Sequence, residues 1–261
     1  MILKTFTDLK SRYASLKPGD VYIGNLPAAT HKAALLMDLA ERGIRCIPSP
    51  LARILNTSKT AQAQILSDWM LPGTCVIYRR ADLMEAAGRY NKDGVGPVVT
   101  KQDRMHCGHG IRRWESMESL YNVVSMLPAA YPFVLQPFLA RFTDVRVILA
   151  GDFVEAYSRT NPGNFRQNLA AGGTHRPFCL SKEQEAFCRA VMERGRFPYA
   201  HVDLQVVDET TVYLSEIALN GGIAGADIDR KRLDQKKQAL VEAAARASSL
   251  EESPERIDCD G

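Results

Sequence analysis

No stretch of the 261-residue chain approaches the roughly 20 consecutive apolar residues that a bilayer-spanning helix requires, so no such span is expected. The first ten residues, Met1 to Lys10, lack an apolar core followed by a small-residue cleavage site, and the cytoplasm is the expected compartment. Cysteines at positions 46, 75, 107, 179, 188 and 259 form no CxxC pair; neither a zinc site nor a disulfide framework is signalled. There is no internal repeat and no low-complexity tract. Strong charge of one sign is also missing: the net charge of +3 suits an anionic ligand without calling for nucleic acid. What is present is an ordinary globular composition, 46% hydrophobic and 24% charged, long enough for one unit or for two lobes sharing a cleft.

Three regions separate by pattern. In the first, the Val21–Gly24 run, a helix over His31–Arg42 stopped by Gly43, and the Ile44–Ile47 run suggest a βαβ unit with a parallel sheet. The second starts at Asn56-Thr-Ser-Lys59, where Thr57 or Ser58 can cap a helix running to about Leu71. Strands follow at Thr74–Tyr78 and Pro97–Lys101 around a short helix over Asp82–Ala87, then a glycine-bearing loop over Gln102–Gly110 and an amphipathic helix over Glu115–Leu127. The third is strand-rich: Phe133–Gln136, then Val145–Leu149 and Phe153–Tyr157 joined by an Ala150-Gly-Asp152 hairpin turn. A helix over Lys182–Arg194, strands at His201–Val207 and Thr211–Ile217, and a helix from about Arg230 to Ala247 complete it.

Chemistry concentrates in the third region. Arg146, Arg159 and Arg166 lead, with Asn164 and Asn168, into the paired glycines Gly172-Gly173. Arginine forks suit phosphate or carboxylate oxygens, and glycine lets a backbone approach a ligand. A polar hairpin loop with incidental arginines has the same composition. Asp203 and Glu216 sit in strand-like runs where a carboxylate is costly unless paired or ligating. On neighbouring strands they can present oxygens to one hard cation such as Mg²⁺; on an edge they simply face water. His106-Cys107-Gly-His109 lacks zinc-site spacing, and the sequence identifies no base to activate the thiol.

Several of these elements in order resemble the RimK-like ATP-grasp ligases, over residues 57–230. The family pattern FRxNLxxGG reads Phe165-Arg-Gln-Asn-Leu-Ala-Ala-Gly-Gly173, after a D-hydrophobic-R element, Asp144-Val-Arg146, and a lone Arg159. Phe133-Val-Leu-Gln-Pro-Phe-Leu139 resembles the hinge strand, Pro97–Lys101 and Ser58-Lys59 the two phosphate-lysine segments, and Val202-Asp-Leu204 with Glu216 the acidic metal positions. The resemblance implies that Lys59 and Lys101 neutralise ATP phosphates and that the main chain of Pro137 and Phe138 bonds the adenine edge. It further implies Asp144 on the ribose, Arg166 and Asn168 at the triphosphate end, and Arg159 with Arg166 stabilising the transferred phosphoryl group. Asp203 and Glu216 would hold Mg²⁺ or Mn²⁺.

Two departures stand out. Met105 replaces the first of three loop glycines, and the metal motif Glu-x-Asn reads Glu216-Ile-Ala218, with Asn220 the expected substitute donor. The expected fold is α/β (α+β), an ATP-grasp fold. A pre-ATP-grasp βαβ domain over 1–56, a central subdomain over 57–132, a C-terminal subdomain over 133–250 and a flexible tail over 251–261 are the expected divisions. The expected activity is ATP-dependent joining of a small-molecule or peptide carboxylate to an amine or amino acid, through an acyl phosphate. An ATP-binding regulatory module with little turnover is the alternative, and an RNA-binding protein a weaker one, since no aromatic-interleaved basic patch is present. No membrane partner is expected, and homo-oligomerisation stays open.

Overall fold

The computed structural model describes residues 1–26, 32–105, 108–127, 130–167, 169 and 172–250, the last three by backbone alone. The expected tail, Asn168, His31 and the His106-Cys107 pair lie outside the described residues.

The N-terminal region alternates β1 (Ile2–Leu3), α1 (Phe6–Arg12), β2 (Val21–Tyr22), α2 (Lys32–Glu41) and β3 (Arg45–Cys46). Thr5 starts α1 with a reciprocal cap: its hydroxyl accepts from the Asp8 N–H while the Asp8 carboxylate accepts from the Thr5 N–H. The three strands run parallel in the order β1-β2-β3. Leu3, Leu9, Tyr22, Leu36 and Leu39 close a small core between them and the helices. The expected βαβ unit is therefore present, extended by an N-terminal strand too short to register as a pattern.

Two short helices, α3 (Pro50–Leu55) and α4 (Lys59–Ile65), are each capped by a serine, Ser49 and Ser58. A second sheet follows from β4 (Cys75–Ile77), α5 (Arg80–Lys92), β5 (Val98–Gln102), β6 (Ile111–Trp114), α6 (Met117–Val124) and β7 (Phe133–Pro137). Its strands pair antiparallel in the order β4-β7-β5-β6. Leu83, Ala86, Leu120 and Val124 of α5 and α6 pack on Val98, Phe133 and Leu135. Because side chains alternate along a strand, Val99, Lys101 and Gln136 are left for the other face.

The third sheet comprises β8 (Thr143–Ala150), β9 (Phe153–Thr160), β10 (Thr174–Pro177), β11 (Tyr199–Val206) and β12 (Val212–Ala218), with α7 (Lys182–Gly195) between β10 and β11, and α8 (Arg230–Leu250) last. The order is β10-β9-β8-β11-β12, all antiparallel. Val145, Val147, Leu149, Val202 and Leu204 face Cys188, Val191 and Met192 of α7 in the largest core cluster. On the opposite face Ile148, Ala150 and Tyr157 are covered by Leu233 of α8. The same face continues along β8 through Arg146 and Asp144, which leave the apolar packing and enter a cleft.

Candidate active site

The cleft lies where the free faces of the second and third sheets meet. Val99, Phe138, Leu139 and Phe142 line an apolar stretch; Lys101, Asp144, Arg146, Arg159, Arg166, Asp203 and Glu216 line a charged one. Register explains the charged cluster. On adjoining strands, Arg146 pairs with Asp203, Asp144 with Arg159, and Asp203 with Glu216. Like charges directly opposed on a ladder repel, so the Asp203–Glu216 pair needs cations on both sides, and it has them.

Arg146 donates from Nε and from an Nη to the two oxygens of Asp203, both at 2.7 Å, and from its other Nη to Gly222 O at 3.1 Å. Arg159 donates to Asp144 at 2.7 Å and stands 3.2 Å from Asp203. Burial pushes the Asp203 carboxyl up, but the two guanidinium groups more than offset this and hold it below the ordinary carboxylate value. For Asp144 burial, aided by Asp203, outweighs Arg159 and the carboxyl lies above its usual value. Arg159 is 7% exposed, yet its Nε is buried with no hydrogen-bond partner among the described residues.

Both lysines reach this centre. Lys59 Nζ donates to Glu216 at 3.0 Å and to Met105 O at 2.6 Å. It is aimed there by the start of α4, where the Asp103 carboxylate accepts from the Thr60 N–H and the Ser58 hydroxyl, both at 3.0 Å. Lys101 Nζ is 3.2 Å from Ser215 O and 3.4 Å from its Oγ, so among the described residues it bonds neutral acceptors while Glu216 acts on it through charge alone. Burial lowers its pKa to about 8.

Arg166 crosses the cleft to the glycine loop, donating to Gly108 O at 3.2 Å and to Ile111 O. The loop needs its glycine at 110: with φ +75°, an added Cβ there would lie 2.6 Å from Met105 Sδ.

Two of the expected site contacts meet competing partners in this structure. The Asn220 amide oxygen accepts from Lys237 Nζ at 3.0 Å, in a buried cluster where that ammonium also donates to Leu219 O at 2.9 Å and meets His201 Nε2 at 3.1 Å. A cation already holds the oxygen expected to hold magnesium. The Phe138 N–H is committed to Pro97 O at 2.9 Å, so a main-chain donor to an adenine edge has to come from elsewhere in the segment, where Leu139 lines the cleft. Pro137 ends β7 opposite Val98. The sequence reading missed Gln62, Asp103 and Ser215. Nothing in their neighbouring residues marks them, because their partners lie far along the chain.

A two-sheet cleft of this kind, with a lysine and a glycine loop on one wall and a carboxylate-arginine cluster on the other, is the architecture of an ATP-grasp protein. Residues 58–241 match the family model of the RimK-like ATP-grasp domain, and the chain belongs to that family. A glutathione synthetase of Parasynechococcus marenigrum (strain WH8102) is 32% identical over 172 residues, 62% of this chain and 52% of that protein; the chain thus spans about half the length of this relative. Among solved structures, the D-alanine–D-alanine ligase of Bacillus anthracis complexed with ATP superposes with a TM-score of 0.61 at 15% identity, covering 94% of this chain and 84% of that one. D-cycloserine synthetase DcsG gives 0.62 at 16%, covering 85% and 83%. The ATP-grasp ligase PsnB, complexed with a precursor peptide and AMPPNP, gives 0.57 at 19%, covering 90% and 79%. At these identities the likeness is one of fold.

Proposed function

We propose that the protein is an ATP-dependent carboxylate–amine ligase. The observation that carries this reading is the charged end of the cleft. Four cations, Lys101, Arg146, Arg159 and Arg166, line it with three carboxylates, and Lys59 adds a fifth cation through Glu216. Among the described residues Lys101 has no anionic partner within hydrogen-bond reach and Arg159 has a buried donor unused. Such a surplus of buried donors is stabilised by an anion rich in oxygens. The apolar stretch beside it suits the base of a nucleotide, with Asp144 between the two as the ribose contact.

Magnesium fits one part of the site. Glu216 offers a carboxylate next to the phosphate-facing lysines, a donor type that Mg²⁺ or Mn²⁺ shares with phosphate oxygens. Among the described residues no group of three His, Cys, Asp or Glu side chains forms a protein cage; the nucleotide has to complete the coordination. When bound, the cation neutralises charge on the phosphates.

In the reaction a substrate carboxylate oxygen attacks the terminal phosphorus of ATP, the bond to the bridging oxygen breaks, and an acyl phosphate and ADP result. An amine then attacks the acyl carbon, phosphate departs and the amine loses a proton. Lys59, Lys101 and Arg166 bind and orient the phosphates, and Arg159 meets the charge that builds on the transferred group. Side chains need supply no nucleophile, because positioning and charge stabilisation dominate phosphoryl transfer.

Phosphate release measured across a panel of amino acids and acceptor acids tests the reading, with thermal unfolding as a prior check of binding. Mg-ATP at 100 times its Kd adds about 2.7 kcal/mol, which raises Tm by roughly 5–10 °C for a chain of this size. A shift with no turnover on any pair favours a binding module, for which Ala218 speaks. No shift at millimolar Mg-ATP overturns the reading.

A further inference from the structure

We infer that Asp203 is a positioning residue for two arginines and not a metal ligand, and that the cleft takes one divalent cation per bound nucleotide, held on the protein side by Glu216. The inference rests on the nucleotide-binding reading above and deepens it.

A carboxylate has two oxygens and about four acceptor positions. Those of Asp203 are engaged on both oxygens by the Arg146 fork, at 2.7 Å each, and one of them again by Arg159 at 3.2 Å. The side chain is 14% exposed. A divalent cation on Asp203 has to displace a bidentate guanidinium or sit against two of them, with mutual repulsion in a poorly screened site. Taking one partner from such a desolvated pair leaves the other charge uncompensated, which is strongly destabilising. The structure makes displacement harder still, because Arg146 is also tied to Gly222 O and Arg159 to Asp144.

Positions 218 and 220 add no free donor. Position 218 carries a methyl group, and the Asn220 oxygen is held by Lys237. Glu216 differs from Asp203 in kind. Among the described residues one of its oxygens accepts from one cation, Lys59, while Lys101 acts on it through charge without a hydrogen bond, and the side chain is 32% exposed. Lysine is a flexible point charge that can transfer to a phosphate and release its carboxylate, whereas a locked fork cannot do so cheaply.

Held this way, Arg146 and Arg159 form a fixed cationic wall. The unpartnered Nε of Arg159 is a donor left for a ligand oxygen. The chemical class that uses it is a phosphoryl group, whose charge spreads over several oxygens. The chain therefore supplies by guanidinium part of the positive charge that a further metal ion would bring.

The test loads the whole protein with AMPPNP and Mn²⁺, counts Mn²⁺ per bound nucleotide by equilibrium dialysis, and records the Mn²⁺ electron paramagnetic resonance spectrum. One Mn²⁺ per AMPPNP is expected. Asp203→Asn should leave count and spectrum unchanged, while Glu216→Gln changes the spectrum. Asp203→Asn should also lower the preference for AMPPNP over AMP at least tenfold, since the arginines lose their aim. Two Mn²⁺ per nucleotide, a changed spectrum in Asp203→Asn, or an unchanged nucleotide preference overturns the inference. If Asp203→Asn does not fold, Arg146→Lys, which keeps the charge and loses the fork, should show the same lowered preference with the same spectrum, and the wild-type count still decides. Failure to bind AMPPNP at all sinks the functional reading itself, whereas AMPPNP bound with two Mn²⁺ sinks only this inference.

Discussion

Lys101 shows at the scale of one residue how burial sets up binding. Among the described residues its ammonium bonds Ser215 oxygens, and desolvation, opposed in part by the Glu216 charge, brings its pKa to about 8. A triphosphate favours the charged form and raises that value. Below pH 8 the free protein already carries the charge, so this group imposes no slope on nucleotide affinity. Above pH 8 binding has to take up a proton, and affinity should fall about tenfold per pH unit until the pKa of the complex is reached. Calorimetry at pH 9 in buffers of different ionisation enthalpy should show proton uptake on AMPPNP binding, and Lys101→Arg should abolish it. A flat affinity between pH 7 and 10 in the wild type would rule this out. His201, by contrast, is driven down to about 3 by burial and by Lys237, so it stays neutral throughout this range.

At the scale of the element, α4 depends on contacts its own sequence does not announce. Ser58 as a helix cap is legible, being a short polar residue before a helical run. Gln62, one turn on, is 2% exposed and donates from its amide to Leu55 O at 2.6 Å and Ile217 O at 2.8 Å. Its oxygen accepts from the Ile217 N–H at 3.1 Å. The side chain thus adds a rung to the edge of β12 beside Glu216 and holds Lys59 within reach. Gln62→Leu keeps the volume but strands buried backbone groups on α3 and β12, which should cost about 2–4 kcal/mol. Urea unfolding should show the midpoint falling with an unchanged m-value. A midpoint within error of wild type would show that the edge is satisfied without it. A surface glutamine on α4 and a buried one read alike in sequence, because Ile217 is 155 positions away.

For the whole molecule, the contacts that matter join the two walls of the cleft. Lys59 reaches from Glu216 to Met105 O, Lys101 from β5 to Ser215, and Arg166 from the β9–β10 connection to the glycine loop. Together they leave a cavity of about 170 Å³, below the roughly 300–1,000 Å³ of ordinary small-molecule pockets. On the proposed function a nucleotide would enter as these donors transfer from carbonyl and carboxylate oxygens to phosphate. Arg166→Ala removes one tie. Amide exchange at 108–111 should then rise several-fold in the free protein while β5 and β7 keep their protection. Equal exchange in both proteins would mean that the loop is held without Arg166.

The chain by itself determined the local grammar and the family. Serine caps, the hairpin at Gly151, the βαβ period and the ordered run of lysine, arginine and carboxylate segments all follow from interactions between near neighbours, or from side-chain types in a fixed order. The strands at Ile111–Trp114 and Thr174–Pro177 escaped because their runs are short and mostly exposed, and pairing with β5 and β9 makes them strands. Only the tertiary structure decided how the charges are shared. Asp203 and Glu216 look alike in sequence as carboxylates in apolar strands. Strand register places the two-armed Arg146 guanidinium against Asp203, while the packing of α4 brings the flexible Lys59 ammonium to Glu216, and on the inference above the strength of those partners separates an anchor from an available ligand.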